Sequence, residues 1–309
     1  SRLTSVTIPN SVTSIGGNAF SRCTGFASIT IPDSVTSIGG SAFSSCSGLL
    51  DIRIRSGVTS IGRFAFYNCS GLTSVTIPDS VTSIGEEAFS GCSGLTEVIW
   101  NAENCTSAGS SNSPMFKNCA NLTSITIGDN VKTIPSYAFS GCSGLTSITI
   151  PDSVTSIGVE AFYGCSGLLD IRIGSGVTAI GNMAFYNCTG LINITIGNSV
   201  TSIGGGAFSG CGRLTSVTIP DSVTSIGGGA FRSCSGLTSI TIPDKVTSIG
   251  DEAFYDCSGL SEIHFNGTIS QWQAISKGSS WNSKVPSSCK VISVSYTHLR
   301  AHETGRNLV

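Results

Sequence analysis

Charge is scarce in this sequence. Only 11% of its 309 residues are Asp, Glu, Lys or Arg, against about 25% in soluble proteins at large. The 16 basic and 18 acidic residues leave a net charge of −2 with no block of either sign. That excludes the Lys/Arg-rich face on which a nucleic-acid binder depends. Histidine is nearly missing: there are three, and His298 and His302 fall close to the C-terminus. With His264 alone in the body of the chain, no Ser–His–acid set, paired carboxylates or phosphate loop can be assembled. An enzyme and a cofactor are therefore not expected. No apolar run approaches the ~20 residues of a membrane span. The 13 cysteines contain no CxxC pair, which argues against zinc. No secretion leader precedes Leu3, which is already in phase with the leucines downstream, so the chain reads as a fragment or a processed product.

What the sequence has in abundance is an interval. A cysteine returns every 23 residues from Cys23 to Cys92 and again from Cys119 to Cys257, and three residues before each stands a phenylalanine, from Phe20 to Phe254. A fixed period of this size marks a solenoid and overrides the two-domain prior set by length. Stacked coils bring the cysteines into one interior column about one strand spacing, ~5 Å, apart. Disulfides are geometrically feasible there. Structural thiols packing as small apolar groups are the preferred reading.

One repeat, residues 72–94, shows the logic. Leu72-Thr-Ser-Val75-Thr-Ile77 alternates apolar and polar, the pattern of a strand with one buried face. Pro78-Asp79-Ser80 is a turn, Val81-Thr-Ser-Ile84 a shorter extended piece, and Gly85 ends it. Glu86–Ser90 is expected to form one helical turn, too short to stand alone. Leu72, Val75, Ile77, Val81, Ile84, Ala88, Phe89 and Cys92 point inward. No single coil can bury them, so stability comes from neighbouring coils.

The strand openings Leu3-Val6-Ile8, Leu122-Ile125-Ile127 and Leu237-Ile240-Ile242 follow the L-x-x-L-x-L of leucine-rich repeats. With the recurring IPxxVTSIGxxAFxxC, the chain from residue 1 to about 292 closely resembles the BspA-like group of bacterial surface leucine-rich repeat proteins. The resemblance implies an extracellular, cell-surface protein that adheres to host, matrix or neighbouring-cell proteins. The fold class expected is an α/β solenoid of 11 or 12 coils. It would be right-handed, with a parallel sheet on the concave face and short strands and helical turns on the other side, and monomeric. A structural spacer or stalk, and an accessory domain of a larger surface enzyme, are the competing roles.

Departures from the period are where a binding surface can be specialised. Between Cys92 and Cys119 the interval lengthens to 27, and residues 100–116 lose the VTSIG element. The 101–114 stretch is expected to bulge as a loop, either a contact site or a tolerated insertion. On the outward face of the first strands, Ser and Thr dominate except at Asp51/Arg53/Arg55, Glu97/Ile99 and Asp170/Arg172. These are the candidate protein-binding residues. The second Asp/Arg pair has another explanation, because residues 46–69 and 165–188 are near copies and a duplicated block would carry it.

The solenoid is expected over 1–262 and a C-terminal cap over 263–292. The cap would hold a short helix at Gln271–Ser276 and close the last repeat with Trp272 and Trp281. Residues 293–309 form a tail, which from Val294 (VSYTHLRAHETGRNLV) resembles a translated adapter read-through and is expected to be disordered. His298 and His302 have helical i, i+4 spacing with Glu303 beside them, but the HExxH order and a third ligand are missing, so no metal site is expected.

Overall fold

Each coil contributes two strands, and their lengths follow from the sequence pattern. In the computed structural model, which describes residues 3–293, the Ser-Val-Thr-Ile type segments form four-residue strands such as Asp51–Ile54, Ser74–Ile77 and Glu97–Trp100. The Ser-Ile of each VTSIG forms a two-residue strand, such as Ser60–Ile61 and Ser83–Ile84. All pairing is parallel and joins equivalent positions of successive coils, Ser60 to Ser83 and Ile61 to Ile84 for example. Twelve short strands are present among the described residues. They form one run of five ending at Ser107–Ala108 and one of seven beginning at Thr133–Ile134. The long-strand sheet is interrupted three times, after Asp51–Ile54, after Ser124–Ile127 and after Asn193–Thr195.

The core is a stack of identical layers. All eight residues expected to point inward from 72–94 are at most 1% exposed. The phenylalanines form a continuous ladder of stacked rings, with centroids 5.0 Å apart at Phe66–Phe89 and 6.2 Å at Phe116–Phe139, its widest step. That widening follows the lengthened coil, and Trp100, fully buried, stands edge-on to Phe139 at 5.3 Å to fill it. The column cysteines from Cys46 onward are thiols, not bridges. Each of several S–H groups donates to the phenylalanine carbonyl one coil back, as Cys165 Sγ does to Phe139 O at 3.2 Å. Burial pushes the thiols of Cys165 and Cys211 up to about 12, and at Cys142, Cys188 and Cys234 neighbouring thiols add to it.

Three expectations need correction. The helical turn at Glu86–Ser90 does not form: the segment is a chain of turns, and the α/β solenoid is a parallel-β one with a single helix among the described residues. Two positions four apart in this segment hold left-handed backbone, Glu87 (φ 52°) and Gly91 (φ 73°), and a left-handed residue ends a right-handed helix. The amides of Phe89 and Gly91 instead donate to the carbonyls of Met115 and Lys117 in the next coil. Second, the helix of the last coil runs Ile269–Ala274, starting before Gln271, because Thr268 and Gln271 form a reciprocal capping box at its N-terminus. Third, the lengthened coil keeps a short strand: Ser107–Ala108 pairs with Ser83–Ile84, with Cys105 buried ahead of it.

The C-terminal region is itself a coil with this helix inserted. Glu262–Phe265 pairs with Ser239–Ile242, and Lys290–Ser293 pairs with Glu262–Phe265 in turn. Ser293, placed with the tail by sequence, ends that strand. Trp272 packs against Phe265 and Trp281, and Trp281 stands edge-on to Phe254, the last ring of the ladder. The readings made for residues 294–309, including His298, His302 and Glu303, lie outside the described residues.

Candidate functional site

The long-strand face is built by alternation. In Asp51–Ile54 the isoleucines are buried and Asp51 and Arg53 are exposed, and Asp170–Ile173 repeats the pattern. Parallel in-register pairing then lines up the outward residues of successive coils in two rows. In one row Asp170 lies between Ser147 and Asn193, and Glu97 between Ser74 and Ser124. In the other Arg172 lies between Thr149 and Thr195, and Ile99 between Thr76 and Thr126. Asp51 and Arg53 stand beside Ser28 and Thr30. At the far end Glu262 and His264 continue the rows, with His264 Nε2 2.9 Å from Glu262 Oε2.

The candidates thus share one face but not one spot. Asp51 and Asp170 are five coils apart, about 24 Å at one strand spacing per coil, with Glu97 between them. Among the described residues the ion pairs are Arg63–Glu86, Lys117–Glu87, Arg232–Glu252 and His264–Glu262, so Asp51 and Arg53 sit adjacent without pairing. Charges spread along one sheet face suit contact with a large partner rather than a small ligand.

Arg55 stands apart from its neighbours. It lies one residue beyond its strand and borders a depression of about 440 Å³ that also takes in Asp79, Asn101, Glu103 and Asp129. A second depression, about 610 Å³, opens where Ser124–Ile127 and Ser147–Ile150 are unpaired, with Arg172 and Asp152 on its rim. The Asp152 carboxyl is held below its ordinary range, chiefly by the Ser175 amide at 2.7 Å, with Arg172 assisting. These acids were not among the residues singled out from the sequence. For Asp79, Asp129 and Asp152 the signal is an Asp after proline or glycine, which recurs at some strand ends but not at all. The 101–114 stretch divides: Asn101 and Glu103 reach the first depression, whereas the bulge tip turns to the other side, where Ser110 Oγ donates to Glu86 Oε1 at 2.9 Å.

Among the described residues no group of three or more His, Cys, Asp or Glu is placed to hold a metal, and no helix is long and apolar enough to cross a membrane. The buried thiols are poor nucleophiles, because burial keeps them protonated.

A family described as BspA type leucine rich repeat region, in six copies, matches residues 1–112, 109–238 and 224–296. A solved leucine-rich repeat protein of Bacteroides ovatus ATCC 8483 is 28% identical, with a TM-score of 0.52 over 93% of this chain and 83% of that one. One from Eubacterium ventriosum ATCC 27560 is also 28% identical, with a TM-score of 0.55 over 88% and 80%. A leucine rich cell surface protein of Faecalibacterium prausnitzii A2-165 is 31% identical over 86% of each chain, with a TM-score of 0.44. No protein of curated function matches the chain.

Proposed function

Because this chain belongs to the BspA-type leucine-rich repeat family, we propose that it is a non-catalytic recognition module of a bacterial cell surface. On this reading it adheres to an extracellular protein of a host, a matrix or a neighbouring cell. The observation that carries the proposal is the register of the long-strand face. Parallel pairing sets Asp51/Arg53, Glu97/Ile99 and Asp170/Arg172 at the same two outward positions of their coils, each pair in its own group of paired strands with Ser, Thr or Asn beside it. Charges at fixed positions on one sheet face give register and partner choice, and the neutral Ser/Thr between them costs little to desolvate. Asn101 and Glu103 extend the contact; the bulge tip at 110–113 does not face it.

The test replaces Asp51 and Asp170 by Ser and Arg53 and Arg172 by Thr, the residues usual at those rows. All four are exposed or on the exposed strand face, so the fold is retained. Labelled wild-type protein is expected to adhere to immobilised matrix proteins or cell layers, and the fourfold variant to bind at least ~10-fold more weakly, about 1.4 kcal/mol. Unchanged binding by the variant would remove these residues from the site. No binding by the wild type would favour a spacer.

A further inference from the structure

On the side away from the long strands, the bonds that join successive coils recur with the period. The amides of the ladder phenylalanines donate to the coil ahead, Phe89 to Met115 O at 3.0 Å and Phe139 to Ala161 O at 2.8 Å for example. Two residues on, Gly91 and Gly141 do the same toward the carbonyls of Lys117 and Tyr163. The column thiols donate back, Cys119 Sγ to Phe89 O at 3.1 Å and Cys165 Sγ to Phe139 O at 3.2 Å. At one junction among the described residues all of these are absent. Phe116 and Asn118 make no such bond to the next coil, and Cys142 makes none back to Phe116. At this same junction the short strands Ser107–Ala108 and Thr133–Ile134 are unpaired, and the phenylalanine step reaches 6.2 Å.

The sequence contains the cause. Where other coils have a glycine, such as Gly85 and Gly158, this one has Pro135. Gly85 and Gly158 donate to Ile61 O and Ile134 O of the coil behind, both at 2.8 Å, and a Cβ on either would lie 2.4 Å from that coil's backbone. Proline has no N–H to donate, and its ring cannot enter so close a contact. Across the junction, Pro114 stands where Phe64 and Tyr137 donate to Glu86 O and Val159 O, and it too lacks the donor.

The junction is therefore held from the long-strand side. Ser124–Ile127 pairs with Glu97–Trp100, Gly128 donates to Trp100 O at 2.9 Å and Lys132 to Glu103 O at 3.1 Å, and Thr133 Oγ1 reaches Cys105 O at 3.3 Å. The next junction is the reverse. Ser124–Ile127 and Ser147–Ile150 are unpaired there, while Thr133–Ile134 pairs with Ser156–Ile157 and the Phe139 and Cys165 bonds are kept. The coil of residues 120–142 is thus tied to its two neighbours on opposite sides.

We propose that this coil is a hinge on which residues 3–119 and 143–293 rock as two bodies, opening and closing at the seam between Pro114 and Pro135. A hinge needs a few yielding residues between bodies that do not yield. Every other junction among the described residues keeps its short-strand pairing, and in a stack held by nearest neighbours the least-bonded junction opens first. Trp100 fills the seam with a ring edge on Phe139, a contact without hydrogen bonds, since its Nε1 has no partner. On the function proposed above, the hinge sets the angle between Asp51/Arg53 and Glu97/Ile99 on one body and Asp170/Arg172 on the other. The experiment uses no partner, so hinge and adhesion can fail separately.

It is double electron–electron resonance on the full chain, with nitroxide labels on engineered cysteines in a Cys289→Ser background. The column thiols are buried and protonated and do not take the label. Thr59→Cys with Thr178→Cys crosses the seam, and Lys132→Cys with Thr247→Cys spans as many coils without it. All four positions are exposed, and each pair stands ~24 Å apart at one strand spacing per coil. The distance distribution is expected to be about twofold broader for the pair that crosses the seam. It should narrow to the control width in Pro135→Gly, which restores both the donor and the room. Equal widths for the two wild-type pairs overturn the hinge. So does a broad distribution that Pro135→Gly, with wild-type circular dichroism, leaves unchanged. If Pro135→Gly does not fold, the comparison of the two wild-type pairs decides.

Discussion

A buried phenylalanine in this fold touches its own kind on both sides. Phe139 is fully buried, stacked on Phe116 and Phe162, and meets Trp100 at its edge. Phe139→Ala is expected to cost about 3–5 kcal/mol, since the rigid layers above and below limit collapse into the cavity. Urea unfolding with an unchanged m-value measures it; a loss under about 1 kcal/mol would show that the ladder relaxes. The burial of Phe139 was legible in the sequence from spacing alone. That Trp100 packs on it was not, because Trp100 and Phe139 lie in different coils and the interval between them is altered by the insertion.

At the scale of the coil, the turns carry the tightest contacts. A Cβ on Gly57 would fall 1.8 Å from the Asp33 carbonyl oxygen of the preceding coil, whereas one on Gly212 would find nothing nearer than the Ser235 hydroxyl at 3.5 Å. Gly57→Ala is therefore expected to destabilise by more than about 2 kcal/mol and Gly212→Ala by no more than ~0.5 kcal/mol. Parallel thermal melts check both, and similar losses would refute the steric argument. The two glycines look alike in sequence. Their difference is set by how closely the coil above approaches, which a single repeat does not contain. The same dependence explains why the turn segment is not helical. Its amides find acceptors in the next coil, and local helical bonding gives way to that longer-range pairing.

Across the whole molecule, repetition multiplies small effects. Burial moves the thiols of Cys165 and Cys211 from 9.0 to about 12. Below about pH 9 folded and unfolded chains both hold these protons, so the thiols add no pH dependence. Above it the unfolded chain releases protons that the folded chain keeps, and stability falls as pH rises from about 9 toward 12, by about 1.4 kcal/mol per pH unit for each such thiol. The urea midpoint is expected to stay level from pH 7 to about 8.5 and then drop steeply, and Cys165→Ala should make the drop shallower. A midpoint independent of pH up to about 10.5 would contradict the buried-thiol column.

The sequence by itself determined the solenoid, its period, the inward set of each coil and the column of phenylalanine and cysteine, because each repeats at an interval that only stacking can bury. It also marked Asp51, Arg53, Arg55, Glu97, Ile99, Asp170 and Arg172 as exceptions on the outward face. Tertiary structure decided how these exceptions relate. The stacking of coils puts all but Arg55 at the same two outward positions, in three groups of paired strands spread over about 24 Å, and the fold turns the tip of the insertion to a different side. It also decided which small residues leave space. A Cβ would stand 1.8 Å from the preceding coil at Gly57 but no nearer than 3.5 Å to any atom at Gly212, a difference set by how closely the neighbouring coil approaches.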